Sequence, residues 1–217
     1  MAEWLNTTFY GLDSGVFSAM NDLAKSMGGF FTPFSKVITL IGEKGLVFIF
    51  AAIILMLFPK TRKLGVCMIG ALAIGAIITD LALKHIVERA RPFESDEQFN
   101  AFWTFLGSPK VSGYSFPSGH ATAITAAATA LFIMCNKKWS WVGFLGVILM
   151  GFSRVYLIHH YFTDVSAGII VGAVSGIIAY FITKLIFNLL EKHRDKKFCA
   201  FCIDFDVRNI FKKKSEK

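Results

Sequence analysis

Three groups of polar residues have the types and spacing that chemistry on a phosphate-like anion requires. Lys84 and Arg91 lie seven residues apart, and Pro92 follows. Seven residues are two helical turns, so both cations can share one face. Pro92 disfavours helical geometry at Arg91, so the helix is expected to end about there. Two fixed cations suit an oxyanion with several negative oxygens, although the pair also reads as a snorkelling anchor at a membrane edge. Pro117-Ser118-Gly119-His120 stands directly before an apolar run, Ala121–Cys135, and reads as a helix start. The free N–H groups there make an anion site, and Gly119 allows close approach to the backbone. His120, at its edge, can protonate a leaving oxygen. The plainer alternative is a capped helix with an incidental histidine. Ser153-Arg154, His160 and Asp164 form the third group. His160 and Asp164, four apart, meet on one helix face, where a carboxylate can hold one ring N–H and leave the other nitrogen free to attack. A structural hydrogen bond is the alternative there. Arg154 offers a bidentate fork for phosphate oxygens. His159 is a rival by position, but Thr163 stands four residues after it, so His160 is preferred.

Together the groups supply three cations, two histidines, one orienting carboxylate and a helix N-terminus. That is an inventory for phosphoryl transfer, which needs positioning and charge stabilisation above all. No metal or other cofactor is required by this set, since Asp164 is the only carboxylate within it.

The elements that position these residues are apolar. Of 217 residues, 54% are hydrophobic and 18% charged, against roughly 25% charged in soluble domains. Mean hydropathy is +0.55. Five or six membrane-length segments can be traced: Val16–Ile41, Gly45–Phe58, Leu64–Leu83, Ala121–Cys135, a fifth with Trp141–Phe152 as its core, and Val165–Leu190. Asn21, Asp22 and Lys25 interrupt the first, so its beginning is expected at the interface. The second is short and reaches spanning length if Lys60, Arg62 and Lys63 snorkel. Gly168, Gly172 and Gly176 recur every four residues and mark a face that another helix can approach closely. The expected fold is all-α, a six-transmembrane-helix bundle.

Basic residues set the orientation. Pro59–Lys63, Asn136–Trp139 and the tail after Leu190 fall on one side if six helices alternate, and that side is expected to be cytoplasmic. The Glu88–Pro117 connection and the His159–Thr163 turn then face the extracytoplasmic side, with part of the site on the loop. Lys84, Arg89 and Arg91 violate the rule there, which is a functional hint. Residues 1–190 read as the membrane domain and 191–217 as a basic cytoplasmic tail, a solvated or lipid-headgroup-binding segment for which the Lys212-Lys213-Lys214 run is a sufficient explanation. The net charge of +8 therefore does not point to nucleic acid. Cys67 and Cys135 sit in apolar runs, and Cys199/Cys202 form a lone CxxC too weak to assign zinc or redox work. Met1–Gly15 has no leader-like pattern, and Asn6-Thr7-Thr8 is a chance-level sequon.

The three groups resemble the signature of the type 2 phosphatidic acid phosphatase family. Lys84, Arg91 and Pro92 match Lys-x6-Arg-Pro. Residues 117–120 match Pro-Ser-Gly-His, and Ser153, Arg154, His160 and Asp164 match Ser-Arg-x5-His-x3-Asp. The match is complete, in order, and spans about eighty residues. The resemblance implies that His160 is the nucleophile, with Asp164 fixing its tautomer. It implies that His120 protonates the leaving group and later activates water. Lys84, Arg91 and Arg154 would cradle the phosphate, assisted by Ser118 and the Gly119 N–H. The implied activity is hydrolysis of a membrane lipid phosphate or diphosphate, with undecaprenyl diphosphate, phosphatidylglycerophosphate and phosphatidate as candidates. A vanadium haloperoxidase shares the anion pattern, but hydropathy argues against that soluble class. A non-catalytic lipid-binding or transport relative is disfavoured by the complete site.

Overall fold

Apolar runs free of Pro and rich in Ala, Leu and Ile favour helix, and in the computed structural model, which describes residues 1–42 and 45–209, the regular elements described are all helical. They run α1 (Ala2–Thr8), α2 (Tyr10–Ser26), α3 (Phe31–Ile41), α4 (Leu46–Met56), α5 (Arg62–Ala76), α6 (Lys84–Val87), α7 (Pro92–Ser95) and α8 (Glu97–Phe105). After them come α9 (Gly119–Met134), α10 (Lys137–Ser140), α11 (Val142–Tyr156), α12 (Phe162–Lys192) and α13 (Lys197–Asp204). A π-helical stretch, Ile77–Leu83, joins α5 to α6.

Three stretches are long and apolar enough to cross a membrane: Arg62–Ser95, Lys137–Tyr156 and Phe162–Lys192. A fourth is added if α3 and α4, inclined at 45°, count as one bent span. The apolar helix α9 is shorter, at 16 residues. The segment expected as one span over Val16–Ile41 is instead divided. Gly28 and Gly29 take left-handed φ values of 57° and 73°, which end α2 and turn the chain into α3. Outward-facing Phe50, Ile54, Ile170, Phe181 and Leu185 are exposed, as suits contact with lipid tails.

The centre is built by backbones in close approach. A Cβ added to Gly168 would lie 2.6 Å from the Ser118 carbonyl oxygen, and one added to Gly172 would lie 2.5 Å from that of Thr122. At Gly176 it would meet the Thr129 Cβ at 2.6 Å. The glycine face of α12 is thus filled by the Ala- and Thr-rich α9. Gly75 of α5 sits against both helices, where an added Cβ would meet the Thr122 methyl group of α9 at 2.9 Å and the Ser175 hydroxyl oxygen of α12 at 3.6 Å.

Arg62 does not snorkel. It is 6% exposed and donates to the carbonyls of Met56 at 2.9 Å and Cys202 at 3.2 Å, and also to those of Ile203 and Phe205. It therefore caps the C-terminal end of α13, whose last carbonyls have no intrahelical donors. Part of the tail is folded against the body, and the Lys212-Lys213-Lys214 run lies outside the described residues. Cys199 and Cys202, on α13, are free thiols.

The close α9–α12 contact predicts opposite outcomes for two glycine substitutions. Gly172→Ala is expected to lower stability in detergent by about 1–3 kcal/mol through overpacking. Gly11→Ala, with nothing within 4 Å of the new methyl group, should leave stability unchanged or raise it. Thermal unfolding of the two variants beside the parent measures the difference.

Candidate active site

The site forms where the start of α9, the turn before α12 and the end of the Arg62–Ser95 stretch converge. Ser118 is the N-cap of α9. Its hydroxyl oxygen accepts the Ala121 N–H at 3.5 Å, and its own N–H donates to the Asp164 carbonyl at 3.0 Å. That backbone bond ties the Pro-Ser-Gly-His segment to the first turn of α12. A cavity of about 440 Å³ opens beside it, with Thr79, Asp80, Lys84, Gly119, His120 and Thr122 as its polar wall. Ile49, Leu72, Ala73, Ala76 and Ala123 continue the cavity as an apolar surface. The π-helical stretch brings Asp80 and Lys84 to the same wall, where the lysine Nζ donates to Asp80 Oδ1 at 2.7 Å. The His120 Nε2 is buried and has no partner among the described residues.

His160 is 3% exposed. Its Nδ1 lies 2.7 Å from the Ser115 carbonyl oxygen, which can only accept, so Nδ1 carries the proton and Nε2 is the free base. Asp164, expected to hold that N–H, is 3.7 Å from Nδ1. Its own oxygens are engaged elsewhere, by Arg89 Nη1 at 2.7 Å and by the Tyr161 N–H at 3.0 Å, the second contact completing the capping box of α12. The tautomer is therefore held by a backbone carbonyl, with the carboxylate behind it as a nearby charge. Burial and the nearby positive charges of Arg154 and Arg91, with smaller contributions from His120 and Lys84, hold the imidazole well below the usual histidine range.

The three arginines that converge here solve burial differently. Arg91 is 5% exposed and donates to the carbonyls of Gly113 at 2.8 Å, His159 at 2.8 Å and Ser112 at 2.9 Å. Its Nη1 also approaches His160 Nε2 at 3.5 Å. Arg89 is saturated by Asn6 and Thr163, each at 2.8 Å, and by Asp164 and Asp13. It also stacks over the Tyr161 ring at 3.7 Å. Arg154 is 2% exposed, and its contact is a 3.3 Å bond from Nη1 to the Thr39 hydroxyl. Its Nε has no partner, and no carboxylate among the described residues lies within ion-pair distance of it. A buried guanidinium with unfilled donors is able to accept an anion as partner.

His159 turns the other way. Its Nε2 sits 2.9 Å from the Pro109 carbonyl and 3.0 Å from Ser108 Oγ, anchoring the loop rather than facing the cavity. Burial and Arg154 lower its pKa to about 2. Sequence reasoning assigns no role to Asp80 or Asp13 and marks Arg89 only as a charge out of place. The i,i+4 spacing of Asp80 and Lys84 was a usable signal, and Arg89 stood out as a charge against the orientation rule. Asp13 gives no local sign, because its partners lie 76 and 150 residues away.

Several helices long and apolar enough to cross a membrane, with a cavity among them that Asp80, Lys84 and His120 line on its polar side, define a helical membrane protein. The model of the PAP2 superfamily matches residues 60–187, and the chain belongs to that superfamily. It is 32% identical over 121 residues to the undecaprenyl-diphosphatase of Sulfolobus acidocaldarius, an alignment covering 55% of each protein. It is 29% identical over 135 residues to the lipid A 4'-phosphatase of Porphyromonas gingivalis, covering 60% of this chain and 57% of that one. The chain thus spans about half the length of the curated relatives it matches. The crystal structure of a transmembrane PAP2-type phosphatidylglycerolphosphate phosphatase from Bacillus subtilis shares the fold, with a TM-score of 0.55 at 22% identity over 89% of this chain and 96% of that one.

The buried histidines predict acid sensitivity of the fold. Their folded pKa values lie below the unfolded value, so the unfolded chain binds more protons once pH falls below about 6.5. Stability is then present above that pH and is lost on acidification, at about 1.4 kcal/mol per unit for each histidine. For His159 the loss continues down to about pH 2. Melting temperature in detergent should fall between about pH 7 and about pH 5, and His159→Asn should reduce that slope by roughly half.

Proposed function

We propose that this chain is an integral-membrane phosphatase that hydrolyses the terminal phosphate of a lipid phosphate or diphosphate through a phosphohistidine. The observation that carries the reading is the buried Arg154 with unfilled donors near a neutral His160 whose unprotonated Nε2 is met only by a long 3.5 Å contact from Arg91 Nη1 among the described residues. Nε2 attacks phosphorus while the bond from phosphorus to the leaving oxygen breaks, and the electron pair departs on that oxygen. His120, whose Nε2 has no other partner, delivers a proton to it. Water then attacks phosphorus, gives its proton to His120, and the P–N pair returns to His160. Arg154, Lys84, the remaining Arg91 donors and the Gly119 N–H at the start of α9 cradle the equatorial oxygens, with Ser118 capping that helix end. The apolar wall from Ile49 to Ala123 suits an acyl or prenyl chain.

Undecaprenyl diphosphate, phosphatidylglycerophosphate and phosphatidate are the candidate substrates. Relatives named for undecaprenyl diphosphate, dolichyl diphosphate and lipid A support the class of lipid phosphates rather than one member. Residues 1–190 form the membrane domain in this reading, with six helices, and residues 191–217 the cytoplasmic tail. The loop carrying Gly113 and the turn carrying His160 face the extracytoplasmic side, in line with the basic Pro59–Lys63 and Asn136–Trp139 connections opposite them.

Purified protein should release phosphate from at least one of the three lipids, with activity that survives EDTA, is inhibited by vanadate and is lost in His160→Ala. Strict dependence on added magnesium counts against the mechanism. For orientation, Lys110→Cys in a chain whose native cysteines are changed to serine should react with an impermeant maleimide on intact cells. Labelling confined to permeabilised cells reverses the topology.

A further inference from the structure

The family match begins at residue 60, yet a buried carboxylate from the N-terminal segment reaches the site. Asp13 of α2 is 6% exposed. Its Oδ1 accepts the Thr163 N–H at 3.0 Å, and its Oδ2 accepts the Thr163 hydroxyl at 2.7 Å and Arg89 Nη2 at 2.8 Å. The other end of the same guanidinium donates to Asp164 Oδ1 at 2.7 Å. Thr163 lies in the first turn of α12, where N–H groups have no intrahelical acceptor, so Asp13 supplies a missing partner. Asp13 and His160 also line the same small cavity, together with Phe17, Ile158 and Tyr161.

We propose that Asp13 is a positioning residue for phosphoryl transfer, holding Arg89 between two carboxylates so that a net negative charge stands behind His160. This rests on the phosphohistidine reading. When the Nε2 pair bonds to phosphorus, the ring keeps its Nδ1 proton, directed at the Ser115 carbonyl, and becomes a cation. Arg91, Arg154 and Lys84 all oppose a further positive charge there. Arg89 with Asp164 alone is a neutral pair. Arg89 with Asp164 and Asp13 carries one net negative charge, and in a buried site that charge is weakly screened. Asp13 thus offsets the cation that the transfer step creates, and its Thr163 contacts fix the turn from which His160 projects. The N-terminal helices become part of the catalytic apparatus rather than a peripheral addition.

A rapid-quench single turnover separates this role from scaffolding, because a rate constant does not depend on how much enzyme is folded. The probe is whichever radiolabelled lipid, among undecaprenyl diphosphate, phosphatidylglycerophosphate and phosphatidate, the parent turns over fastest in detergent micelles. Asp13→Asn is expected to slow phosphoenzyme formation by about tenfold or more while half-saturation by lipid changes by less than roughly threefold. A rate constant within about twofold of the parent, with only the amplitude reduced, overturns the proposal. If Asp13→Asn does not assemble, Thr163→Val removes the hydroxyl shared by Asp13 and Arg89, and it should slow the same step by roughly threefold. An unchanged rate constant in that variant likewise overturns the proposal. His160→Ala in the same assay isolates the underlying reading: turnover by that variant removes the phosphohistidine, whereas an inactive His160→Ala beside a fully active Asp13→Asn removes only the role of Asp13.

Discussion

Burying guanidinium groups inside a helical membrane protein is costly unless each finds partners, and this constraint organises the site. Arg89, Arg91 and Arg154 are all within 5% of complete burial. Arg89 is matched by charge, between Asp13 and Asp164, and Arg91 by dipoles, from three backbone carbonyls. Arg154 retains donors with nothing to accept them among the described residues. The first two hold the loops and turns in place, and that rigidity allows the third to keep donors without acceptors.

Helix packing makes such a juxtaposition possible. Because Gly168 and Gly172 have no side chains, α12 approaches α9 closely enough for the Ser118 N–H to reach the Asp164 carbonyl. The start of α9, with its unpaired N–H groups, and the turn bearing His160 are therefore parts of one rigid unit. The π-helical widening of the chain at Ile77–Leu83 brings Asp80 and Lys84 to the cavity beside His120. Ion pairing to Asp80 keeps the lysine directed along the cavity wall.

The turn between α11 and α12 illustrates how a short segment gives neighbouring histidines different fates. Ile158 adopts a left-handed φ of 58°, unusual for a β-branched residue, and is 2% exposed in an aromatic cluster with Phe93, Phe102 and Tyr156. The N–H groups of His159 and His160 both reach the Arg154 carbonyl, at 3.1 and 3.3 Å. The rings then diverge, His159 to the Pro109 carbonyl and His160 to that of Ser115. Local strain held by apolar burial is thus coupled to the aim of the imidazole.

The sequence by itself determined the candidates for the chemistry-bearing groups, the helical character and the membrane setting, because residue type, spacing along a helix and hydropathy are local properties. Lys84, Arg91, His120, Arg154, His160 and Asp164 were legible in this way, and so was the glycine face of α12. Only the tertiary structure decided who holds whom. The i,i+4 spacing suggested that Asp164 grips His160, but the grip comes from a backbone carbonyl 45 residues distant, and the carboxylate is occupied by Arg89. Carbonyl groups are the same in every residue, and Asp13 meets its partners only after the chain has folded back. Contacts made by backbone dipoles or across long sequence separations leave no local pattern, so packing alone assigns them.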